Sequence, residues 1–578
     1  MRVLLCAINA KYIHVNLAVL YLHQVGLAAG WHSQIRSFSI NEPIGYILSE
    51  LHQHQADVVA FSCYIWNIEM VMKLAADMRK VRPEAMIVLG GPEVSYRADQ
   101  ILRENPAVDY VISGEGETVW PQLLAAWHQG INHPNLPGVS YREGADIITA
   151  ESEAAALPVL DGIPFPYEGI RGDHSQIIYY ESSRGCPFQC SYCLSSLQRE
   201  VRFFPLERVK RDLERLIQLN PREIKFVDRT FNCDESRARA IMEMILQLPG
   251  QARFHMEISP QLLSDKFLSF LEKLPGQRFA FEIGVQSTHE PTLKAIKRLG
   301  DWSRISSNIS RLRQADNIHL HLDLIAGLPE EDYPTFMNSF NQVYNLKPHH
   351  LQLGFLKMLP GTGIRRQAQN YQYQYQQHPP YEVLSTDWLS FEELVHLHHI
   401  EDVLEKYYNA GLARLTVEQV IARRYNGNAF SFWERLGQYW HHKGYYGIGV
   451  GLNERYTILK QYLDEQYPQL SQQHHDWLKY DYLQGRLSYH LPVGLHGLPQ
   501  SSEMLTKLLK QDGFIAQYLP EFTHSSIREI KKRVILERFQ YHLCSGPAAT
   551  DPLTMLFVYP QPGQGAGRIV PLYTDLLD

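Results

Sequence analysis

The 578-residue sequence predicts an α/β protein in three segments. These are a doubly wound, Rossmann-like parallel sheet over 1–155, a partial (β/α)6 barrel over 170–377 and a mixed α+β domain over 378–578. Three observations carry that reading. Short apolar runs alternate with amphipathic stretches along the first two thirds of the chain. A linker at 156–169, containing LPVLDGIPFPYEG with three prolines and two glycines, interrupts the alternation. Cys186, Cys190 and Cys193, three of only seven cysteines, fall within eight positions just after the first apolar run beyond the linker.

In the first segment, VLLCAIN, DVVAFSCY, AMIVLGG and DYVISGEG read as buried parallel strands. NLAVLYLHQVGLAAG and NIEMVMKLAADMRKV read as helices between them. Ligands of such sheets bind beyond the carboxyl ends of the strands. Those ends carry Asn9 to His14, Ser62 to Trp66, Gly90-Gly91-Pro92 and Gly114-Glu115-Gly116-Glu117. The glycines there either serve tight turns or let backbone amides approach a ligand.

The second segment repeats the alternation six times. Its strands are QIIYYESS, EIKFVDR, RFHMEIS, FAFEIGVQ, IHLHLDLIAG and HLQLGFLKML, with helices such as PLERVKRDLERLIQL and DESRARAIMEMILQL. Six parallel strands with crossover helices curl into a partial barrel, which carries its chemistry at the strand carboxyl ends. The cysteines follow the first of these strands.

Bulk composition narrows the function. Net charge is −7, from 55 basic and 62 acidic residues, and no basic run occurs, so no nucleic-acid groove is indicated. The few, unevenly spread cysteines argue against a secreted disulfide scaffold and for a reducing cytoplasm. MRVLLCAINAKYIH does not read as a signal peptide. No stretch approaches the roughly 20 apolar residues of a membrane helix, so no membrane partner is expected.

Three thiols this close cannot all pair as disulfides. A structural zinc site wants four ligands, usually in two separated halves, and no second half follows. C-x3-C-x2-C, with Tyr192 before the last cysteine, instead supplies three thiolates to an iron–sulfur cluster and leaves one iron open. A zinc or redox-thiol site is the alternative.

CPFQCSYC resembles the cluster loop of the radical S-adenosylmethionine (SAM) enzymes, in which the open iron of a [4Fe–4S] cluster chelates SAM. IKFVDRTFN, MEISP, FEIGVQS, DLIAGLPEE and LKMLPGT resemble strand-end motifs of the branch with an N-terminal cobalamin-binding domain. NAKYIHVNLA, VLGGPEVS and VISGEGETV resemble its cobalamin loops. Together these cover about 1–365.

The resemblance implies a radical enzyme with a [4Fe–4S] cluster, SAM and cobalamin, served by an external one-electron reductant such as flavodoxin or ferredoxin and acting on a small-molecule or unknown substrate. It implies the cluster at Cys186, Cys190 and Cys193. SAM contacts are expected at Tyr192, Asp228, Glu257, Gln286 and Gly327. Cobalamin contacts are expected at His14, Ser62, Gly90, Gly91, Gly114, Glu115 and Gly116. No catalytic residue is assigned. The D-x-H-x-x-G cobalt-ligand motif is absent, and His14 stands where an axial ligand could, with a packing histidine as the alternative. Methyl transfer to an unactivated carbon is the leading reaction. Cobalamin-assisted cyclisation or rearrangement, as in anaerobic tetrapyrrole ring closure, is the second, and a non-catalytic redox sensor the third.

The third segment is rich in Tyr, His and Gln and resembles a C-terminal domain of unassigned role. His396, His398 and His399 lack the i, i+4 spacing of a metal pair and read as a helix face. REIKKRVILERFQYHL and PLTMLFVYP read as a strand pair. Cys6, Cys63, Cys233 and Cys544 read as packed or surface thiols.

Overall fold

The computed structural model describes residues 1–11, 13–149, 157–169, 177–198, 200–276, 278–298, 300–488, 490–499, 501–541, 553–560 and 567–572. One compact unit comprises Met1–His349 and Leu353–Leu394, and the other His350–Gln352 and Val395–Asp578. Cys544 lies outside the described residues.

The first unit opens with β1 (Val3–Asn9), β2 (Ser33–Ser39), β3 (Val58–Ser62), β4 (Met86–Gly90), β5 (Tyr110–Ile112), β6 (Val139–Glu143) and β7 (Asp146–Ile148). They form one sheet in the order 2-1-3-4-5-6-7. The first five are parallel, and β6 and β7 add an antiparallel hairpin. β1, β3 and β5 are buried along their whole length, as continuous apolar runs require when helices cover both faces. The apolar pattern misses β2, because SQIRSFS is a polar edge strand pairing only with β1. Chain order reverses between β1 and β3, which puts a ligand crevice at their carboxyl ends. There Asn16 caps helix Leu17–Ala28 by accepting from the Val19 N–H (3.2 Å), and its Nδ2 donates to Ser62 Oγ (3.0 Å). One side chain thus ties the first loop to the end of β3.

The barrel follows: β8 (Ile177–Tyr180), β9 (Ser183–Arg184), β10 (Arg202–Phe203), β11 (Glu223–Phe226), β12 (Arg253–Glu257), β13 (Phe279–Gln286), β14 (Ile318–Ala326) and β15 (His350–Phe355). All but the β9–β10 ribbon form an open six-stranded sheet in the order 15-14-13-12-11-8. β8 and β11 to β14 pair in parallel. On β14, Ile318, Leu320, Leu322, Leu324 and Ala326 are buried while the intervening residues are half-buried. Half-buried positions of β11 to β14 carry ionisable groups. Glu282 Oε2 accepts from Lys225 Nζ (3.0 Å) and pairs with His255 Nε2 (2.8 Å), and His321 pairs with Asp323 (2.8 Å). Burial alone would raise the Glu282 carboxyl, but His255 and Lys225 outweigh it and hold the group well below the usual carboxylate range. A ribbon of β16 (Gln374–Tyr375) and β17 (Val383–Ser385) ends this unit.

In the second unit, helices lead to an antiparallel sheet of β18 (Val534–Phe539), β19 (Leu553–Val558) and β20 (Arg568–Leu572). The expected strand pair is present, and β20 joins it as a third strand. His396 and His399 lie on helix Phe391–Leu404, where the His399 ring stacks on His441 at 4.3 Å. No helix among the described residues is long and apolar enough to cross a membrane.

Glu331, fully buried beyond β14, locks two strand exits together by accepting from Ser287 Oγ (2.6 Å) and Ser339 Oγ (2.8 Å). Burial pushes its carboxyl up to about 7, against the pull of these bonds. An unfolded Glu titrates at about 4.3, so the stability from the retained proton is complete below that pH and lost as pH rises through 7. Glu331→Gln should therefore gain stability over the wild type between pH 5 and pH 8, on the order of 2 kcal/mol. Thermal melts at both pH values check this, and a pH-independent difference would contradict it.

Candidate active site

The cysteine loop is held at both ends before any ligand is considered. β9 and β10 pair antiparallel at its base, and the Cys186 N–H donates to the Gln198 carbonyl (3.1 Å). Gly185 precedes the first cysteine at φ +93°, and a Cβ there would lie 2.1 Å from the Glu200 carbonyl oxygen, so only glycine fits. Midway, the Ser191 N–H donates to Ile296 O (2.9 Å) and Ser191 O accepts from the Ile364 N–H (2.8 Å). Asp228, almost fully buried at the end of β11, accepts from the Ser182 N–H (2.8 Å) and from the hydroxyls of Ser182 and Ser183 (2.6 Å each). It fixes the exit of β8 from which the loop departs.

Cys186, Cys190 and Cys193 all line a cavity of about 240 Å³ at the strand carboxyl ends, with Tyr192, Glu257 and Gln286 in the same wall. The thiols surround this space without converging on a point. Among the described residues, no three His, Cys, Asp or Glu are arranged to hold one metal ion. A four-iron cluster is wider than an ion and takes its thiolates from around its periphery, so the donor set suits the cluster. Gln286 adopts φ +71°, a strained conformation for a side-chain-bearing residue. Its Oε1 is buried without a hydrogen-bond partner, which is the state of a polar group built to meet a ligand.

Arg298 supplies the local charge. Its guanidinium lies 3.6 Å from Cys190 Sγ and 3.3 Å from the Tyr192 hydroxyl, and it also donates to the Gly284 carbonyl. Burial pushes the Cys190 thiol up, and Arg298 opposes it. Burial likewise raises Glu257, to about 7, against the nearby charge of Arg229.

Two larger cavities lie where the first sheet meets the barrel. One, about 620 Å³, is lined by Ser62, Gly90, Gly91, Gly114, Glu115 and Gly116, and on the barrel side by Arg184 and Arg229. Gly91 is at φ +113°, and a Cβ there would lie 2.6 Å from the Cys63 carbonyl oxygen, so the backbone forms a close wall that no side chain can replace. Open glycine-ended strand termini fit a flat, bulky ligand such as a corrinoid. The other, about 470 Å³, holds His14, Asn16 and Tyr179 and shares Tyr64, Trp66 and Arg229 with the first.

Arg184 joins the two domains. It is paired with Glu115 (2.6 Å), Glu117 (2.5 Å) and Glu181 (2.6 Å), and Arg202 also pairs with Glu115. The Arg184 guanidinium stacks over the Tyr21 ring.

Several expected contacts stand differently. Asp228 is outside the cluster cavity, and both of its oxygens are committed to serines. Gly327 is also outside it, since a Cβ there would meet Val383 and its carbonyl accepts from the Tyr373 hydroxyl. Glu115 lines the larger cavity, but its carboxylate is held by the two arginines. His14 is not with the glycine turns. Its Nδ1 bonds the Tyr179 hydroxyl (2.7 Å), and burial lowers its pKa. Cys6 and Cys63 are fully buried thiols raised by burial, and Cys233 is half-buried. Arg298 and Arg184 were not foreseen. The only signal for Arg184 is its place just before the first cysteine, and Arg298 has none in the local pattern.

Hydrogen bonds and positive charge near cluster sulfurs stabilise the reduced, more negative state. Arg298→Met should therefore lower the cluster's reduction potential by on the order of tens of millivolts, with Arg298→Lys in between. Anaerobic potentiometric titration checks this, and an unchanged potential would contradict it.

Comparison with known proteins agrees with this geometry. A B12-binding domain family matches residues 3–124, the radical SAM superfamily matches 180–343, and a family of unknown function (DUF4080) matches 369–557. The chain is 29% identical over 344 residues to the cobalamin-dependent radical SAM methyltransferase TokK of Streptomyces tokunonensis, covering 55% of this chain and 49% of TokK. It is 25% identical over 420 residues to 2-(S-pantetheinyl)-carbapenam-3-carboxylate methyltransferase of Streptantibioticus cattleyicolor, covering 66% of this chain and 61% of that protein. It thus spans about half to three fifths of these relatives. Among solved structures, the fold is similar to the apo form of the cobalamin-dependent SAM radical enzyme OxsB (TM-score 0.57, 13% identity, 83% of each chain). It is also similar to the methyltransferase TsrM of Kitasatospora setae with cobalamin and a [4Fe–4S] cluster bound (TM-score 0.54, 14% identity, 66% of this chain and 78% of that one). The chain thus carries a cobalamin-binding domain and a radical SAM domain, and the cofactors these imply are cobalamin, a [4Fe–4S] cluster and SAM.

Proposed function

We propose that the protein is a cobalamin-dependent radical SAM methyltransferase acting on an unactivated carbon of a small molecule, with electrons from an external one-electron reductant. The observation that carries this reading is the shared wall between cavities. Arg229 lines the three-cysteine cavity and both larger cavities, and Ser195 lines the first and the largest of these, so the three cavities adjoin.

In this reading residues 1–155 and 170–377 are the two working domains. Cys186, Cys190 and Cys193 would hold the cluster. Tyr192, Glu257 and Gln286 would contact SAM, and Ser62, Gly90, Gly91, Gly114 and Gly116 would bound the corrinoid. When bound, the cluster supplies the electron that cleaves SAM and cobalamin supplies a transferable methyl group. The chain's own work is to hold and orient. The Cys186 and Gln198 backbone closes the thiolate loop, Arg298 offsets negative charge at Cys190, and Gln286 offers an unpaired acceptor. Half-buried walls limit water that would quench a radical.

Anaerobic incubation of reconstituted protein with SAM, a reductant and cobalamin tests the reading. 5′-Deoxyadenosine and S-adenosylhomocysteine should both form, and Cys190→Ala should abolish the first. Deoxyadenosine without S-adenosylhomocysteine, with substrate present, would overturn methyl transfer in favour of cyclisation or rearrangement. Neither product would overturn the radical reading altogether.

A further inference from the structure

Three arginines line these cavities, and two are committed. Arg184 is held by carboxylates, and Arg298 by Gly284, Tyr192 and Cys190. Arg229 is different. It is exposed, and its guanidinium makes no ion pair or hydrogen bond with any described residue. Its charge is felt only at a distance, by Glu257 and Tyr64. It is also common to all three cavities. A guanidinium at a ligand junction, with its fork of donors unengaged, matches a planar oxyanion.

The surroundings narrow the class. Tyr64 and Trp66 stack at 4.4 Å with rings 7° apart, and with Val227 they line both larger cavities beside Arg229. The Trp66 indole N–H donates to the Ile8 carbonyl (3.2 Å), which fixes the pair in place. Beside Arg229 this stretch of wall is apolar and aromatic, and the charged residues that also line both cavities, Glu181 and Arg184, are paired with each other. Arg229 is the one lining cation without a partner among the described residues, so with the Glu257 carboxyl nearby the junction can neutralise about one negative charge. That suits a carboxylate better than a phosphate dianion.

We infer that Arg229 anchors the methyl acceptor through a carboxylate, so that the substrate is an amphipathic molecule with an apolar body and one carboxylate group. This rests on reading the cavities as cofactor and substrate space. Arg229 would act in binding and specificity, by fixing one end of the acceptor at the mouth of the cluster cavity.

Equilibrium dialysis of the protein loaded with cluster, cobalamin and SAM tests the inference, with indole-3-acetate and indole-3-acetamide as probes of equal shape and different charge. The wild type should bind the acid at least tenfold more tightly than the amide. Arg229→Met should lose that preference while keeping its cluster absorbance, corrinoid content and SAM affinity, and Arg229→Lys should recover part of it. Equal binding of acid and amide, or binding of neither, would overturn the inference. A variant that loses corrinoid or SAM affinity would overturn it too, because Arg229 would then serve a cofactor. Failure of the radical reading would appear separately, as a wild type that yields no deoxyadenosine whatever the probes do.

Discussion

Arg184 immediately precedes Gly185 and the first cysteine, and three carboxylates from two domains close around its guanidinium. Glu181 belongs to the barrel, while Glu115 stands at the N-cap of helix Gly116–His128 after β5 and Glu117 lies in its first turn. Each side chain is only about a tenth exposed: 11% for Arg184, 11% for Glu115, 10% for Glu117 and 11% for Glu181. Charges this dry cannot be left unpaired. Removing one member of such a set costs about 3–5 kcal/mol, whereas an exposed pair is worth at most about 1 kcal/mol. The residue that opens the thiolate loop therefore also fixes where the first sheet meets the barrel.

A second clamp acts at the neighbouring strand exit of the same domain. Buried Glu93, in the turn after Gly90 and Gly91, accepts from the Tyr381 hydroxyl and pairs with Arg97. Gly361, at φ +87°, packs so tightly on Tyr96 that a Cβ there would lie 2.7 Å from its ring. The glycine turns of the first sheet are thus tied to the barrel through both the β4 and the β5 exits. The cavity of about 620 Å³ is walled by both of these clamped exits.

Much of this was legible in the sequence, and the rest was hidden for physical reasons. Strands buried on both faces, such as VLLCAIN and VVAFS, announce themselves as apolar runs, and a three-cysteine loop after a barrel strand restricts the chemistry to very few options. β2 escaped because an edge strand need not be apolar, and β20 because five short residues carry little pattern. Asp228 looked like a ligand for SAM, since a polar residue at a barrel mouth meets either ligand or protein. Only the fold reveals the two serines 46 and 45 residues away that claim it. Arg298 lies 108 residues from Cys190, and no local period records such a contact. Gly327 shows the same limit. Its positive φ (87°) explains why it is glycine, and the side chain packed against it, Val383, is announced by no local pattern.

Arg184 ties the chain after β5 to the start of the thiolate loop, so under the proposed function it would hold cluster and corrinoid at one fixed separation. Pulsed electron dipolar spectroscopy between cob(II)alamin and the reduced [4Fe–4S] cluster measures that separation directly. The wild type should give a single narrow distance, and Arg184→Met, in preparations that retain both cofactors, should give a visibly broader one. A broad distribution in the wild type, or a narrow one that survives the loss of Arg184, would contradict the account.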